Sequence, residues 1–257
     1  MESVFAYVVW LPAVAAAFYL GLPLLIYFQQ KFPAHPEMLE LDLEDLDRAL
    51  AKFLMTRTRA LVALGFDEPT TVQIPDAVPN VSSYLIMLVN RQAGDKAMVT
   101  VLIAGGPAPM QTAYVEYSTR FEDGVVFDTL NSDQLNAFPP ARQAVRTQTP
   151  TVSDPAELYR MHQFQMSKHD GGAKKVVYGR GGGLNYLTSV VLIDSYDKQV
   201  ERGWLKYDSR TDAYRTTLKG AYLIVWGLVQ PFKALRTLAM RSRENRVLRD
   251  FRKAAAG

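Results

Sequence analysis

The sequence predicts an α+β fold: an N-terminal transmembrane helix, an antiparallel sheet meander packed by helices, then a C-terminal β-hairpin and a basic amphipathic helix. Three observations carry this expectation. From Ser3 to Gln30 there is no charged residue. Five short apolar segments follow between turn residues: Thr70–Ile74, Ser83–Gln92, Lys96–Ala104, Ala113–Phe121 and Val125–Leu130. Lys233–Lys253 carries eight bases against two acids.

Composition bounds the rest. A chain of 257 residues fits one or two domains, and 48% apolar with 21% charged residues excludes wholesale disorder. The absence of cysteine excludes disulfides, Cys-based zinc sites, thiolate iron–sulfur clusters and cysteine nucleophiles. Three histidines leave little room for a His-rich metal site. The net charge of +3 hides an asymmetry: residues 37–150 hold 15 acids and 9 bases, and residues 151–257 hold 10 acids and 19 bases. Such a distribution points to a polyanionic partner for the basic part, either nucleic acid or an anionic membrane surface.

The run Val4–Phe28 is long enough to cross a hydrocarbon core of about 30 Å, which takes roughly 20 residues. Tyr27 suits an interfacial aromatic belt, and kinks at Pro12 and Pro23 are tolerated in membrane helices. A cleaved signal peptide is the rival reading, with Ala13–Ala17 resembling a cleavage site. It wants a basic n-region and a short apolar core. Met1-Glu2-Ser3 supplies no base, and apolar residues continue past the alanines, so the anchor is preferred. Lys31 flanks one end and Glu2 the other, which places the large domain in the cytoplasm.

In the acidic half, Asp42 reads as an N-cap with acids in the first helical turn. Leu43, Leu46, Leu50, Phe53, Ala60, Leu61 and Leu64 then form an apolar stripe, interrupted by Arg57, that suits a core helix better than a coiled coil. Gly65 fits the left-handed position after the helix, with Phe66 folding back on Leu61. Asp123-Gly124 between two apolar segments signals a type I′ hairpin, and Gly94-Asp95 suits another. The short gaps force antiparallel neighbours. Glu116, Glu122, Asp123 and Asp128 lie near one hairpin but read as solvent-facing acids. Phe138–Val152, with Pro139, Pro140 and Pro150, reads as a linker or extended crossing segment.

Asp154 caps the next helix, with Pro155 at its first position and Glu157 three residues after the cap. It is expected to run to about His169. His162 and His169 lie seven apart, whereas helical zinc pairs are usually closer, so no metal is assigned. No catalytic residue or cofactor is assigned either, and no Gly-x-Ser-x-Gly elbow occurs. Gly179, Arg180, Gly181, Gly182 and Gly183 form a glycine-rich loop that could cradle an anionic ligand with help from Lys174 and Lys175. It lacks the Gly-Lys-Ser/Thr ending of a P-loop, and a hinge is the simpler reading.

Asn185 to about Arg202 reads as a helix closed by Gly203. Trp204–Tyr207 and Ala213–Thr217 flank a longer hairpin loop, and Thr217-Leu218-Lys219-Gly220 opens another helix. Over these roughly 35 residues the arrangement resembles the wing of a winged-helix domain, which implies nucleic-acid binding. It departs from that family in having no helix-turn-helix before it and few bases on the preceding helix. Ala221–Phe232 is uncharged and too short to span, which suits an interfacial, re-entrant or buried segment. The basic stretch that follows reads as an in-plane membrane helix. Trp226, Lys233, Arg236, Arg241, Arg243, Arg246 and Arg249 are its expected contacts with anionic lipids.

The expected organisation is an anchor over residues 1–31, an α+β domain over 38–170, a glycine-rich loop, helix and hairpin over 171–220, and a membrane-interface helix over 221–257. The expected function is that of a single-pass protein of the cell membrane. Its cytoplasm-facing domain would serve as an interaction or scaffold module, or as an accessory subunit of a membrane complex with a membrane-protein partner. A membrane-anchored enzyme or anionic-ligand binder is the alternative, and a winged-helix-like nucleic-acid binder a further one.

Overall fold

Two aspartates open the helices that cover the main sheet. Asp47 Oδ1 accepts from the backbone N–H groups of Ala49 at 2.9 Å and Leu50 at 3.3 Å, starting α2 (Arg48–Val62). Asp154 caps α3 (Pro155–Met166) through Ala156 and Glu157, at 3.3 and 3.1 Å. Asp42, the cap expected for the first of these helices, instead precedes a single 3₁₀ turn, Leu43–Asp45, and makes no side-chain cap bond. The backbone is extended again at Leu46, so the true helix begins five residues later than the acids suggest. Its other end is as expected: Gly65 is left-handed (φ 89°), and the N–H of Phe66 returns to the Leu61 carbonyl at 3.2 Å.

The computed structural model describes residues 2–78, 81–105, 110–169, 172–177 and 193–256, with the side chains of 2–9, 11–13, 15, 68, 76–78, 110 and 256 left aside. The remaining elements are α1 (Glu2–Gln29), β1 (Lys31–Pro33), β2 (Leu39–Glu40), β3 (Asp67–Val78), β4 (Val81–Asn90), β5 (Asp95–Ala104), β6 (Met110–Arg120), β7 (Val126–Leu130) and β8 (Ala144–Gln148). They continue with α4 (Asp194–Glu201), β9 (Leu205–Asp208), β10 (Ala213–Thr216), α5 (Leu218–Leu228) and α6 (Phe232–Ala256). The fold is α+β with a mostly antiparallel sheet. Among the described residues no helix is long and apolar enough to cross a membrane. The described side chains of α1 are Trp10, Val14 and those from Ala16 onward.

The chain divides in space into two units. A sheet unit holds residues 36–134, 140–191 and 239–257, and a hairpin unit holds residues 1–35, 135–139 and 192–238. These boundaries differ from those expected along the chain: the first helix and the late hairpin fall together, and the basic end of α6 falls with the sheet.

In the sheet unit, seven strands run in the order β2-β3-β4-β5-β6-β7-β8. The meander is antiparallel up to β7, as the short gaps require. β8 then pairs parallel to β7, Val126 against Ala144 and Leu130 against Gln148. Part of the segment read as a linker or extended crossing segment, Ala144–Gln148, is therefore an edge strand. Its connection is long enough for a parallel return, which the other gaps are not. The Asp123-Gly124 turn also differs from the type I′ form, which needs left-handed backbone at both residues. Only Gly124 is left-handed (φ 85°), and Phe121 pairs across to Val125 at 2.8 Å, so the loop has three residues, Glu122 to Gly124. That is a type I turn closed by a glycine bulge.

Alternation along the strands places Ile86, Leu88, Ala97, Val99, Val101, Val115 and Tyr117 on one face, where Leu50, Leu54 and Leu61 of α2 and Leu158, Tyr159 and Met161 of α3 bury them. The C-terminal half of α6 joins this core through Leu248, Val247 and Phe251, with Phe251 edge-on to Phe164 at 5.7 Å. A separate apolar cluster, Val72, Ile74, Leu85 and Met87, lies on the opposite face.

In the hairpin unit, β10 is the middle strand of a three-stranded sheet, between β9 and β1. Lys31 pairs with Arg215 and Pro33 with Ala213. The hairpin read as a wing is thus flanked on its second strand by the chain just after α1. Gly203 closes α4 in left-handed conformation (φ 71°), and Thr217 Oγ1 caps α5 by accepting from the Gly220 N–H at 3.1 Å.

Leu61 has no exposed surface. Leu61→Ala is expected to cost about 2–5 kcal/mol, read as a lower urea midpoint at unchanged slope. Gly220 leaves no room for a Cβ against the Trp204 carbonyl, whereas nothing lies within 4 Å of one at Gly21. Gly220→Ala is expected to destabilise by about 1–3 kcal/mol, and Gly21→Ala to be neutral or slightly stabilising, in thermal melts of the full chain.

Candidate functional site

α1 has no polar side to turn outward. Its described side chains at Trp10, Val14, Phe18, Leu20, Leu24, Leu25 and Phe28 are all exposed, Trp10 at 67% and Phe28 at 69%. An isolated exposed apolar residue is ordinary, but a contiguous series on one helix marks an interaction or membrane surface. α5 packs along the C-terminal half of α1 in the opposite direction. At one end the Thr216 hydroxyl donates to the Ile26 carbonyl at 3.3 Å. At the other, Phe232 meets Tyr19 edge-on at 6.4 Å. The exposed series continues on this partner with Trp226 (46%), Phe232 (42%), Leu235 (60%) and Leu238 (61%).

The residues expected to touch lipid divide into two groups. Trp226 and Lys233 are exposed in the hairpin unit. Arg236 is half-buried there, and its guanidinium donates to the carbonyls of Gly227 at 2.8 Å and Asn136 at 2.9 Å. Burial lowers its pKa from the ordinary value. Arg241, Arg243, Arg246 and Arg249 are exposed in the sheet unit. There the apolar stripe of α6 faces protein: Met240 and Leu248 are buried, and buried Glu244 accepts from the Thr151 N–H at 2.9 Å and hydroxyl at 2.6 Å. An in-plane membrane helix needs that stripe free for lipid. From residue 239 onward α6 has committed it to the sheet unit.

Charge follows the same division. The hairpin unit holds nine Lys+Arg against six Asp+Glu, and the sheet unit holds 20 of each. The whole net charge therefore sits on the unit that carries the exposed apolar surface. No protein-family model, curated protein or solved structure matches this chain.

The sheet unit contains a buried polar network that sequence spacing does not reveal. Asp95 is fully buried. Its carboxylate accepts from Thr119 Oγ1 at 2.6 Å, Tyr159 OH at 2.7 Å and Lys175 Nζ at 2.7 Å. Thr119 Oγ1 also lies 2.9 Å from His162 Nε2, and Thr129 Oγ1 lies 3.0 Å from His162 Nδ1. Because Thr119 gives its one proton to Asp95, it accepts from His162 Nε2–H, and Thr129 donates to Nδ1. His162 is therefore a neutral imidazole of one tautomer, and burial holds its pKa down at about 4. Tyr117 lies tilted against it at 6.0 Å and donates to the Pro155 carbonyl at 2.9 Å, while burial raises the phenol pKa. Lys175, with 29% of its side chain exposed, is the member that solvent reaches. The network fastens α3 and residues 173–177 to the sheet. Its groups satisfy one another.

Lys175 is thus bound to Asp95 and to the Ala93 carbonyl rather than presented to a ligand. The loop of Gly179, Arg180, Gly181, Gly182 and Gly183 lies outside the described residues. His169 lies 3.2 Å from Asp123 and rests on the Phe121 ring at 4.7 Å, apart from His162. Among the described residues no group of three His, Asp or Glu is placed to hold a metal ion.

The opposite sheet face brings Glu116 within 4.0 Å of Arg146. Register sets Lys96 opposite Ser118, Ser118 opposite Asp128 and Asp128 opposite Arg146. Burial raises the Glu116 carboxyl well above the usual carboxylate range and lowers the Lys96 ammonium to about 5, with Arg120 adding to the latter. Glu116 and Asp128, read as solvent-facing, are therefore half-buried partners of bases. A groove of about 760 Å³ between α2 and the sheet is lined by Leu46, Phe53, Tyr84 and Ile103, with Gln73 bonded to Tyr84 at 3.3 Å.

His162 makes stability pH-dependent with a definite sign. Above about pH 6.5 neither the folded nor the unfolded imidazole is protonated, and the contribution is fully present. As pH falls toward about 4, the unfolded chain binds a proton that the folded one refuses, and stability is lost. In urea titrations from pH 7 to 4, the native protein should lose about 3 kcal/mol more than His162→Gln. Parallel losses would mean that His162 titrates normally in the fold.

Proposed function

We propose that this protein is a membrane-attached interaction module. α1 enters the bilayer of the cell membrane, and the sheet unit serves as a scaffold or accessory subunit for a membrane-protein partner. One observation carries the reading: α1 runs unbroken from Glu2 to Gln29, uncharged after its first residue, and its described large apolar side chains are exposed. The bases of the hairpin unit support a cytoplasmic position for the C-terminal end of α1, since Lys31 follows it directly and Glu2 stands at the other end. An interaction role is favoured over an enzymatic one by the closed network around Asp95, where each polar group is already bonded within the fold.

Alkaline carbonate extraction of membranes from cells expressing the full chain tests this. The protein should remain in the pellet, as inserted helices do, while peripheral proteins leave. Complete release into the supernatant would overturn the reading. Replacing Val14 and Phe18 together with Asp should shift most of the protein to the supernatant, because each charge near the helix centre costs about 2.5–3.5 kcal/mol.

A further inference from the structure

The hairpin unit gathers exposed bases at one end of α1. Lys31 follows the helix directly. Lys206 Nζ lies 5.7 Å over the Tyr27 ring. Lys219 stands in the first turn of α5, three residues after Thr216, which bonds the Ile26 carbonyl. All three lysines are exposed. From this end α5 runs back along α1 until Phe232 reaches Tyr19. Seven residues of helix separate Ile26 from Tyr19, a rise of about 10 Å. Over that distance no charge intervenes, since Gly220–Phe232 is uncharged.

The far end is aromatic. Tyr222 meets Trp226 at 5.2 Å, Trp226 stacks on Phe232 at 6.3 Å, and Phe232 meets Tyr19 at 6.4 Å. α6 begins at Phe232, and its Leu235 and Leu238 have about three-fifths of their surface exposed. Of the two cations in this stretch, Arg236 turns its guanidinium inward onto two carbonyls, and exposed Lys233 has a four-carbon stem that lets its ammonium reach back toward the headgroups.

We propose that α5 and the first two turns of α6 form a shallow wedge that enters the anionic leaflet of a phospholipid bilayer beside α1, with Lys31, Lys206 and Lys219 against the headgroups. The depth of about 10 Å matches that at which interfacial helices bury their apolar faces. The charge is complementary, because the basic end of the unit meets the anionic side of the bilayer. The wedge deepens the reading of α1 as bilayer-inserted and rests on it. It also differs from a basic helix lying in the membrane plane, since the bases from Arg241 onward play no part.

The chain contains no cysteine, so single cysteines label cleanly. Phe18→Cys, Leu235→Cys and, as a control in the sheet unit, Val145→Cys carry a nitroxide in the full-length protein. The protein is reconstituted in phosphatidylcholine vesicles containing phosphatidylglycerol. Power-saturation spectroscopy then compares contact with oxygen, which concentrates in lipid, and with a water-soluble nickel chelate. Positions 18 and 235 should both favour oxygen severalfold over position 145. Oxygen contact at 18 with water-like behaviour at 235 would overturn the wedge and leave the anchor standing. Water-like behaviour at both positions, or lipid contact at 235 alone, would overturn the anchor and with it the wedge beside α1. Lys206→Glu with Lys219→Glu should reduce lipid contact at 235, roughly fivefold in partition for each base lost. An unchanged signal in that variant would overturn the headgroup contact.

Discussion

A helix that is apolar all round must be covered all round, and this constraint organises the hairpin unit. α1 offers no charged or polar stripe to water, so something has to lie against each of its sides. Protein covers one side: α5 runs antiparallel to it, and β1 carries the chain directly from its end into the sheet with β10. The exposed series from Trp10 to Phe28 shows where protein cover stops. The uncharged sequence of α5 follows from the same constraint, because a helix packed on α1 at such a boundary needs an apolar face on both its inner and its outer side.

The fate of α6 shows why charge along a chain is a poor guide to charge in space. Read linearly, an acidic half precedes a basic half, and the basic half looks like a lipid-seeking element. In the fold, the C-terminal half of α6 lies with the acidic segment, and the sheet unit becomes neutral. Glu244 shows what holds it there. A buried carboxylate is costly unless it is bonded, and the backbone and hydroxyl of Thr151 supply two bonds. Leu248, Val247 and Phe251 add apolar burial in the core of the unit. The exposed arginines on that stretch are then the solvated side of a packed helix.

The parts of the fold that sequence made legible are those governed by local chemistry. Asp154 with Pro155, Gly65 with Phe66, Gly203, and Thr217 before α5 each act within four residues, and each appears where its chemistry demands. Asp42 misled because several acids in succession compete for one cap, and the winner depends on where the stripe of Leu50, Leu54 and Leu61 meets the sheet. The edge strand β8 was hidden because a parallel partner brings no hairpin signal. The Asp95 network was invisible for a deeper reason. Its members come from β5, β6, β7, α3 and the segment after α3, and only strand register brings Thr119 and Thr129 to the same imidazole. The one local trace is the Tyr159–His162 pair, three apart on a helix face, and a spacing of three is common on any helix.

Buried polar groups of this kind usually cost more than an apolar core of equal volume, so their presence needs a physical account. Here the account is register. The apolar residues facing α2 and α3 would pack almost as well if α3 slid along the sheet, because aliphatic contacts have little direction. The hydroxyls of Thr119 and Thr129 sit on neighbouring strands and grip the two nitrogens of one ring, and Tyr159 and Lys175 reach the same carboxylate from either end of the α3 segment. A slip of one helical residue would leave His162, Thr129 and the Tyr159 hydroxyl buried without these partners, each at a cost of about 1–3 kcal/mol. The network therefore selects one placement of α3 among several that hydrophobic burial alone would allow.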